Sequence, residues 1–447
     1  MQGVHGTVRR FRSGLLCLLV AGAAWILCGG GTWQSDWLAA LRQPARTATG
    51  EPQLVSVESL PALDGEMCEW VPAGAGVPLA SALRLAALAQ AQDAPRTSAM
   101  NADREPVRIV RDTYPTYSAV GVDLQTNEVY LQDENLFVLM VFDRQTDTPP
   151  AAAFSEPKRR LRGSETRLEF NCALYVDQGT GDVYSVNNDM VDTMVVFPRG
   201  AMGNVAPMRQ LHTPHRTYGI AVDEGAQELY LTVQHPPQVV VYRKTAAAED
   251  KPLRILRGNR TQMKDAHGIA LDTRNNLMFV SNHGTLPNEN SSGGSFEPPS
   301  ITVYPLKAGG DTPPLRVIEG PKTELNWPAL LFLDQERGDL YVANDVDNSI
   351  LVFKADDHGD VAPSRAIKGP KTGLMNPTGI FLDPRNDELW VSNMGNHSAT
   401  VYRRTASGDA APLRTIRSAP MGKTAQMIGN PGGVGYDTKR EEILVPN

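Results

Sequence analysis

Four cysteines among 447 residues are too few for a disulfide scaffold, and Cys17 and Cys28 lie in an N-terminal apolar segment. No C-x-x-C, C-x-x-C-H or zinc-finger spacing occurs, so iron–sulfur, covalent haem and zinc-finger chemistry lack support. Outside the cytoplasm the other two cysteines, Cys68 and Cys172, can oxidise to a disulfide.

Other chemistry-bearing motifs are missing as well. Without a G-x-S-x-G, P-loop or dinucleotide-binding fingerprint, acyl hydrolase, NTPase and dehydrogenase functions lack support. Basic residues do not predominate: 43 Lys and Arg against 50 Asp and Glu leave a net charge of −7, which argues against a nucleic-acid partner. Beyond the N-terminus no apolar run is long enough to span a bilayer.

Residues 1–31 are interpreted as a signal peptide or membrane anchor rather than as part of the fold. Three arginines within 9–12 precede an apolar run at 15–27, which is short for a spanning helix. A cleaved secretory signal is favoured over an anchor, so we expect an extracytoplasmic protein, whether periplasmic, secreted or membrane-anchored. Residues 32–104 form an extension in which 79–92, rich in Ala and Leu, predicts one helix.

What the sequence does contain is an internal repeat. Three mostly apolar or small residues followed by Asp recur seven times, ending at Asp123, Asp177, Asp223, Asp272, Asp334, Asp383 and Asp437. Six residues after each Asp comes an apolar residue, and in six repeats an aromatic residue follows it. Ten residues after the Asp, five repeats carry Asn, and a Pro-x-Arg motif also occurs seven times. Agreement at this many offsets establishes a repeat of about 50 residues.

Each repeat holds four short runs rich in Val, Ile, Leu and Tyr, bounded by the turn residues Asp, Asn, Gly and Pro. Four strands per repeat predict one blade of an all-β propeller, with strands a to d running from the centre outward. Counting repeats predicts a seven-bladed β-propeller over residues 105–447, closed by an N-terminal strand d near Arg108 that joins the C-terminal blade. Six blades are the alternative, if the terminal strands do not form a separate blade.

The repeated polar residues are expected to be structural. The Asp after strand a begins a tight turn, where its side chain accepts backbone hydrogen bonds, and the Asn after strand b does the same for the next turn. The Arg of strand d lies three strand spacings, roughly 14 Å, from strand a. Its stem is expected to pack on the edge strand and its head to stay in water.

The unit from Ala266 to Asn282, continued by 301–304 and 314–316, resembles the NHL-type propeller repeats of secreted bacterial proteins. The chain is also similar to propellers with YVTN-like repeats and to virginiamycin B lyase-like propellers, over about residues 105–447. This resemblance is specific for fold alone, because propellers serve as binding scaffolds, lactonases, lyases and sensors. The lyase family implies a seven-bladed ring with a His acid/base and a divalent metal. Its catalytic motif does not align here, so no catalytic residue, metal ligand or cofactor is assigned.

Strand direction predicts which loops meet a ligand. Because neighbouring strands alternate, the d–a and b–c loops share one face, and the a–b and c–d turns share the other. Six of the seven histidines after the signal segment map to the first face and only His358 to the other. An insertion within 286–299 overhangs the first face, and His267 and His283 are expected to lie outside the core. The candidate ligand-face residues are His267, His283, His235, Tyr218, Asn282, Trp327 and Asp345.

The leading hypothesis is a non-enzymatic extracytoplasmic scaffold that binds a protein, peptide or glycan on this face. It rests on regular repeats without a matching catalytic constellation. The alternative is a metal-dependent lactonase or lyase with its site at the central channel. No nucleic-acid partner is expected, and a membrane is expected to be contacted only through an N-terminal anchor.

Overall fold

The computed structural model describes residues 112–188, 191–287, 294–426, 435–437 and 442–444. The signal or anchor at 1–31, the extension at 32–104 with its helix, and the strand predicted near Arg108 lie outside the described residues. So does Cys68, the partner predicted for Cys172, which is itself buried. Within the described part of the chain, no helix has the length and hydrophobicity needed to cross a membrane.

Two units make up the chain, one combining Met1–Met67 with Asn430–Asn447 and the other spanning Cys68–Gly429. The larger unit holds six four-stranded antiparallel sheets, each built from strands a to d in chain order. The short runs of Val, Ile, Leu and Tyr found in the sequence form these strands, because β-branched and aromatic residues fill both buried faces of each sheet. In the smaller unit the described residues form one hairpin, β27 (Gly435–Asp437) paired with β28 (Glu442–Leu444).

The strands of the six blades have the following bounds. Blade 1 contains β1 (Tyr117–Asp123), β2 (Glu128–Asp133), β3 (Val138–Asp143) and β4 (Arg159–Leu161). Blade 2 contains β5 (Asn171–Val176), β6 (Val183–Asn187), β7 (Thr193–Phe197) and β8 (Arg209–His212). Blade 3 contains β9 (Thr217–Asp223), β10 (Glu228–Val233), β11 (Gln238–Arg243) and β12 (Arg254–Leu256).

Blade 4 differs by an inserted hairpin between strands b and c. It contains β13 (Ala266–Asp272), β14 (Leu277–Asn282), the hairpin strands β15 (Thr285–Pro287) and β16 (Gly294–Phe296), then β17 (Ser300–Pro305) and β18 (Arg316–Glu319). Blade 5 contains β19 (Pro328–Asp334), β20 (Asp339–Asn344), β21 (Ser349–Lys354) and β22 (Arg365–Ile367). Blade 6 contains β23 (Pro377–Asp383), β24 (Glu388–Asn393), β25 (Ser398–Arg403) and β26 (Arg414–Arg417). Short 3-10 turns occupy Ser164–Thr166, Asn259–Thr261, Pro321–Thr323 and Met394–Asn396.

The propeller has six blades, so the prediction of seven is wrong and the six-bladed alternative holds. Within the described residues, the seventh repeat, around Asp437, forms the hairpin β27–β28 and no further strand. Blade 6 packs directly on blade 1, with strands β23 and β1 side by side. One hydrophobic cluster joins Tyr117 and Val122 of blade 1 to Trp390 and Ile416 of blade 6. Counting repeats fails here because the seventh repeat supplies sequence patterns for strands a and b only, whereas a blade needs four strands.

Blade junctions share one backbone contact. Strand d of each of blades 1 to 5 forms a parallel bridge to the c–d segment of the next blade, at Leu161–Gly203, Leu211–Ala248, Leu256–Gly310, Ile318–Gly359 and Ile367–Gly408. Where the ring closes, the N–H of Thr148 donates to the oxygen of Thr415 at 2.7 Å, and the N–H of Ser155 donates to that of Arg417 at 3.0 Å. Blade 1 therefore meets strand d of blade 6 much as the other blades meet their neighbours.

The turn role predicted for the repeated Asp is confirmed. Asp123 Oδ1 accepts from the backbone N–H groups of Gln125 at 2.9 Å and Thr126 at 3.3 Å. The repeated Asp of each other blade accepts comparable bonds in its own turn. Each such bond satisfies a turn N–H that no strand partner reaches.

The prediction that the Arg of strand d keeps its head in water is wrong. Arg254 Nη2 lies 2.5 Å from Glu228 Oε2, and its guanidinium lies over the Tyr230 ring, 5.4 Å from the centroid. Both partners belong to strand b, which is two strand spacings from strand d, whereas strand a is three spacings away. The hydrogen bond from Arg254 lowers the pKa of Glu228 to about 2. The same arrangement recurs at Arg159–Glu128, Arg365–Asp339 and Arg414–Glu388.

Candidate functional site

The d–a and b–c loops meet at one end of the ring, which we call the loop pole. In all six blades the residue after strand b donates its backbone N–H to the carbonyl oxygen of the residue before strand a. The residues before strand a are Thr116, Phe170, Arg216, Asp265, Trp327 and Asn376. The residues after strand b are Glu134, Asn188, Gln234, His283, Asp345 and Met394. Each of these positions carries a different residue in every blade, so here the repeats diverge chemically.

The backbone before strand a is strained in most blades. Five residues there have a positive φ between 32° and 62°, namely Phe170, Arg216, Asp265, Trp327 and Asn376. Bulky side chains tolerate this region poorly. The left-handed residue turns the chain into strand a, and at blade 5 it leaves Trp327 on the surface with 40% of its area exposed.

Asn282 anchors the d–a connection of blade 4. Its Oδ1 accepts from the N–H of Lys264 at 3.0 Å, and its Nδ2 lies 3.1 Å from Thr302 Oγ1. The d–a connections of three other blades donate in the same way to Asn187, Asn344 and Asn393. These asparagines therefore hold the preceding connection, rather than the next turn as predicted. Asn282 is fully buried, and its bond to Lys264 holds the residue next to Asp265.

Blade 4 gathers a buried group of metal-ligating side chains. Asp265 precedes β13, His267 is the second residue of β13 and His283 follows β14. One ligand atom of each lies within 4.8 Å of the others. His235 of blade 3 adds an imidazole whose Nε2 lies 3.6 Å from Asp265 Oδ1. We call these four residues the histidine cluster. His267 and His283 are only 4% and 8% exposed, so the expectation that they lie outside the core is wrong.

Aromatic rings extend the cluster across three blades. The rings of His267 and His283 stack with centroids 3.3 Å apart and planes 15° apart. Tyr218 of blade 3 lies 4.3 Å from His267, and Trp327 of blade 5 lies 5.1 Å from His283, centroid to centroid. Five of the seven candidate residues are thus brought together. Their role in binding a ligand stays a prediction.

Hydrogen bonds determine the tautomer of His267. Asn188 Nδ2 donates to Gln234 Oε1 at 3.1 Å, so the amide nitrogen of Gln234 faces His267 Nε2 at 2.9 Å. Nε2 therefore accepts, and Nδ1 carries the hydrogen that it donates to the backbone oxygen of Asp265 at 3.0 Å. The His267 ring is held from both sides.

The other cluster atoms are less completely satisfied. Thr285, the first residue of the inserted hairpin, donates to Asp265 Oδ2. Within the described residues, the buried Nε2 of His283 and Oδ1 of Asp265 have no hydrogen-bond partner. The hairpin predicted to overhang this face thus starts at the cluster, and its tip at 288–293 lies outside the described residues.

The remaining histidines and Asp345 lie apart from this group. His212 and His215 are half exposed and face Glu249 and Asp192. His397 is buried where the ring closes, and the other exposed histidine, His358, is in a c–d turn. Asp345 lies at the loop pole in blade 5 and accepts from Asn376 Nδ2 at 2.9 Å.

Burial keeps the stacked imidazoles neutral. The pKa of His267 is lowered by burial, against the raising effect of the Asp265 carboxylate. The pKa of His283 falls well below its ordinary value, because burial is reinforced by His267 and His235. A neutral imidazole is the form that binds metals and accepts hydrogen bonds.

Burial raises the pKa of two carboxylic acids at the loop pole. Burial, followed by the charges of Asp133 and Asp345, raises the pKa of Glu134 to about 8. Burial also raises the pKa of Asp345 to about 6, although the bond from Asn376 opposes it. Glu134 is therefore mostly protonated at neutral pH and can donate a hydrogen bond.

Glu134 makes stability depend on pH in a defined direction. Because its pKa is higher in the folded than in the unfolded chain, the folded state binds the extra proton between about pH 4.5 and 8. This contribution is complete below the unfolded pKa and is lost as pH rises through about 8. We expect Glu134→Gln to weaken the fall in unfolding free energy over this range, measured by urea unfolding. Glu156→Gln, at an exposed Glu, is the control, and equal slopes in all three proteins would refute the assignment.

Sequence reasoning missed Asp265, Gln234 and Glu134. Asp265 lies seven residues before the repeated Asp of its blade, and the other two lie eleven residues after theirs. Trp327, His283 and Asp345 occupy the same offsets. The repeated Asp is the same residue in every blade, whereas these two positions differ in every blade. That divergence is a sequence signal by which Asp265, Gln234 and Glu134 could have been found.

The fold and this pole define a six-bladed, all-β propeller with a histidine-rich site at one end. No protein-family model matches the sequence, and no curated protein matches it. Among solved structures, the chain is similar to Kuenenia stuttgartiensis hydrazine synthase, with 10% sequence identity and a TM-score of 0.46. The match covers 76% of this chain and 98% of that one, and at this distance nothing about function is drawn from it. The NHL type of the repeats stays a prediction.

Proposed function

We propose that this propeller is an extracytoplasmic scaffold that binds a protein, peptide or glycan at the loop pole. The observation that carries the proposal is Trp327, which is 40% exposed and stacks on His283. An exposed aromatic ring beside convergent polar groups is a common feature of binding sites, because the ring supplies contact area and the polar groups orient the ligand. The extracytoplasmic location rests on the N-terminal segment.

Charge at the loop pole favours a ligand rich in hydroxyl or amino groups. Of the twelve residues before strand a and after strand b, only Arg216 is basic, whereas Asp265, Asp345 and Glu134 are acidic. Protonated Glu134 can donate a hydrogen bond, and the two aspartates can accept bonds. A sugar ring or a polar peptide with one flat apolar face would meet both the Trp327 ring and these groups.

The opposite end of the propeller has fewer groups available to bind a ligand. A cleft there is lined by Asp223, Glu224 and Lys307. Lys307 already lies 2.7 Å from Glu228, and Lys244 lies 2.6 Å from Glu224. These charged groups pair within the protein, which leaves them less free to bind a ligand.

Trp327→Ala tests the proposal. Labelled full-length protein is applied to an oligosaccharide array and a peptide array, and affinity is measured for each probe that binds. Loss of an aromatic anchor worth about 2 kcal/mol should weaken binding about 30-fold. Phe154→Ala, at a 43% exposed aromatic residue in a c–d connection, should bind as the wild type does. Unchanged affinity in Trp327→Ala would place the ligand elsewhere.

A second function, the metal-dependent lactonase or lyase, is favoured by one observation. Asp265, His267 and His283 form a buried group of metal-ligand type at the loop pole. Turnover of simple lactones by zinc-loaded protein, abolished by Asp265→Asn and retained by His358→Ala, would favour this function over the scaffold.

A further inference from the structure

We propose that Asp265, His267 and His283, with His235 beside them, bind one divalent first-row transition-metal ion. This site is independent of the organic ligand proposed above and would exist whether the loop pole binds glycan, peptide or neither. The inference rests on the donor set, on unsatisfied buried atoms and on the surroundings that hold the donors in place.

The donor set selects the class of metal. Two or three imidazoles and one carboxylate suit Zn²⁺, Cu²⁺, Ni²⁺, Co²⁺ or Fe²⁺, whereas Mg²⁺ and Ca²⁺ require mostly oxygen ligands. The three central donors already lie within 4.8 Å of one another, close to the spacing of ligands around one ion. His235 Nε2, at 3.6 Å from Asp265 Oδ1, is near enough to complete a four-ligand site.

Two buried atoms of the cluster need a partner. His283 Nε2 and Asp265 Oδ1 make no hydrogen bond within the described residues, although both are shielded from water. A buried polar atom left without a partner costs about 1–3 kcal/mol. A metal ion bound to both would remove this cost, and the charge of the carboxylate would offset that of the ion.

Neighbouring hydrogen-bonding groups orient the metal-ligating side chains, as such groups do in known metal sites. Thr285 donates to Asp265 Oδ2, which leaves Oδ1 directed at the histidines. The backbone oxygen of Asp265 holds Nδ1 of His267, and Nε2, which now accepts from Gln234, is the nitrogen left to bind a metal. Such outer contacts set the orientation and basicity of metal ligands. The left-handed φ of +60° at Asp265 shows that the chain bears backbone strain at this residue.

Metal binding requires one local movement. The His267 and His283 planes are only 15° apart, and imidazole lone pairs lie in the ring plane, so both cannot converge on one ion as they stand. Rotation of one ring about its side-chain torsion, with release of the Gln234 bond to His267, corrects this. Because Trp327 stacks on His283, ring rotation should also change tryptophan fluorescence.

The test titrates Zn²⁺ and Co²⁺ into chelator-treated, full-length protein by calorimetry, with Mg²⁺ for comparison. We expect saturable binding of one Zn²⁺ per chain, a visible Co²⁺ absorption band typical of low coordination number, and no saturable binding of Mg²⁺. These wild-type measurements need no substitution. Absence of saturable Zn²⁺ and Co²⁺ binding would overturn the proposal and indicate that the imidazoles serve only as packed core.

Substitutions then assign the ligands. His283→Ala and Asp265→Asn should each weaken Zn²⁺ affinity by about 100-fold or more, since even outer contacts of metal sites contribute 10- to 100-fold. His215→Ala, at an exposed histidine paired with Asp192, and His358→Ala are the matched controls and should retain full affinity. Circular dichroism confirms that each variant is folded. Wild-type affinity in both folded cluster variants would assign the metal to another site and refute this one.

Discussion

Trp390→Ala is expected to lower the free energy of unfolding by about 3–5 kcal/mol, the usual cost of removing a large aromatic side chain from a core. Trp390 is fully buried in the cluster that joins blade 6 to blade 1. Its Nε1 donates to Glu388 Oε2 at 3.2 Å, and Arg414 lies over its ring. The cavity would therefore weaken the one junction whose blades are distant in sequence. Urea unfolding followed by circular dichroism measures the change.

The control for this prediction is Trp327→Ala. It removes the same side chain from an exposed position at the loop pole, so the unfolding free energy should change by less than about 1 kcal/mol. A change of less than about 1 kcal/mol in Trp390→Ala as well would show that Trp390 does not hold blades 6 and 1 together.

Gly268→Ala is expected to destabilise the propeller by about 3 kcal/mol or more, because the added Cβ meets backbone that cannot give way. It would lie 2.3 Å from the carbonyl oxygen of Ala329 and 2.8 Å from the Cα of Leu330, both in strand a of the next blade. The innermost strands of blades 4 and 5 pack backbone to backbone here. Since His267 is the preceding residue, the substitution should also weaken any ligand or metal bound by the cluster.

Gly225→Ala is the matched control for Gly268→Ala. Gly225 lies in an exposed a–b turn, and the nearest atom to an added Cβ is 3.4 Å away. Thermal unfolding should leave this variant close to the wild type while Gly268→Ala melts at a clearly lower temperature. If Gly268→Ala melts with the wild type, adjacent strands a are not in close contact.

The strands and most candidate site residues could be predicted because their signals are local. The short runs of Val, Ile, Leu and Tyr and the Asp of the a–b turn are patterns within a few residues of each other. Because neighbouring strands run in opposite directions, His235, His267 and Trp327 are then predicted to lie at the same pole. Asn282 lies between His267 and His283 in blade 4, yet its buried side chain accepts a backbone hydrogen bond, as the matching Asn does in three other blades.

The side-chain contacts between blades could not be predicted from the sequence. Asp265 and His235 belong to different blades, and nothing in the sequence indicates that their side chains lie 3.6 Å apart. The pairing of Arg254 with Glu228 was not predicted because the repeated Asp of strand a is too distant, whereas the actual partner lies on strand b.

By itself the sequence determined that this is an all-β propeller of four-stranded blades, with histidines collected at the pole of the d–a and b–c loops. Those features follow from repeated local patterns, because strands and turns depend mainly on residues that are close together in the chain. Only the tertiary structure decided that six blades close the ring, because closure depends on how the faces of blades 1 and 6 pack. It also decided that Asp265, His267 and His283 converge in one buried cluster, because side-chain distances are set by packing between strands and blades.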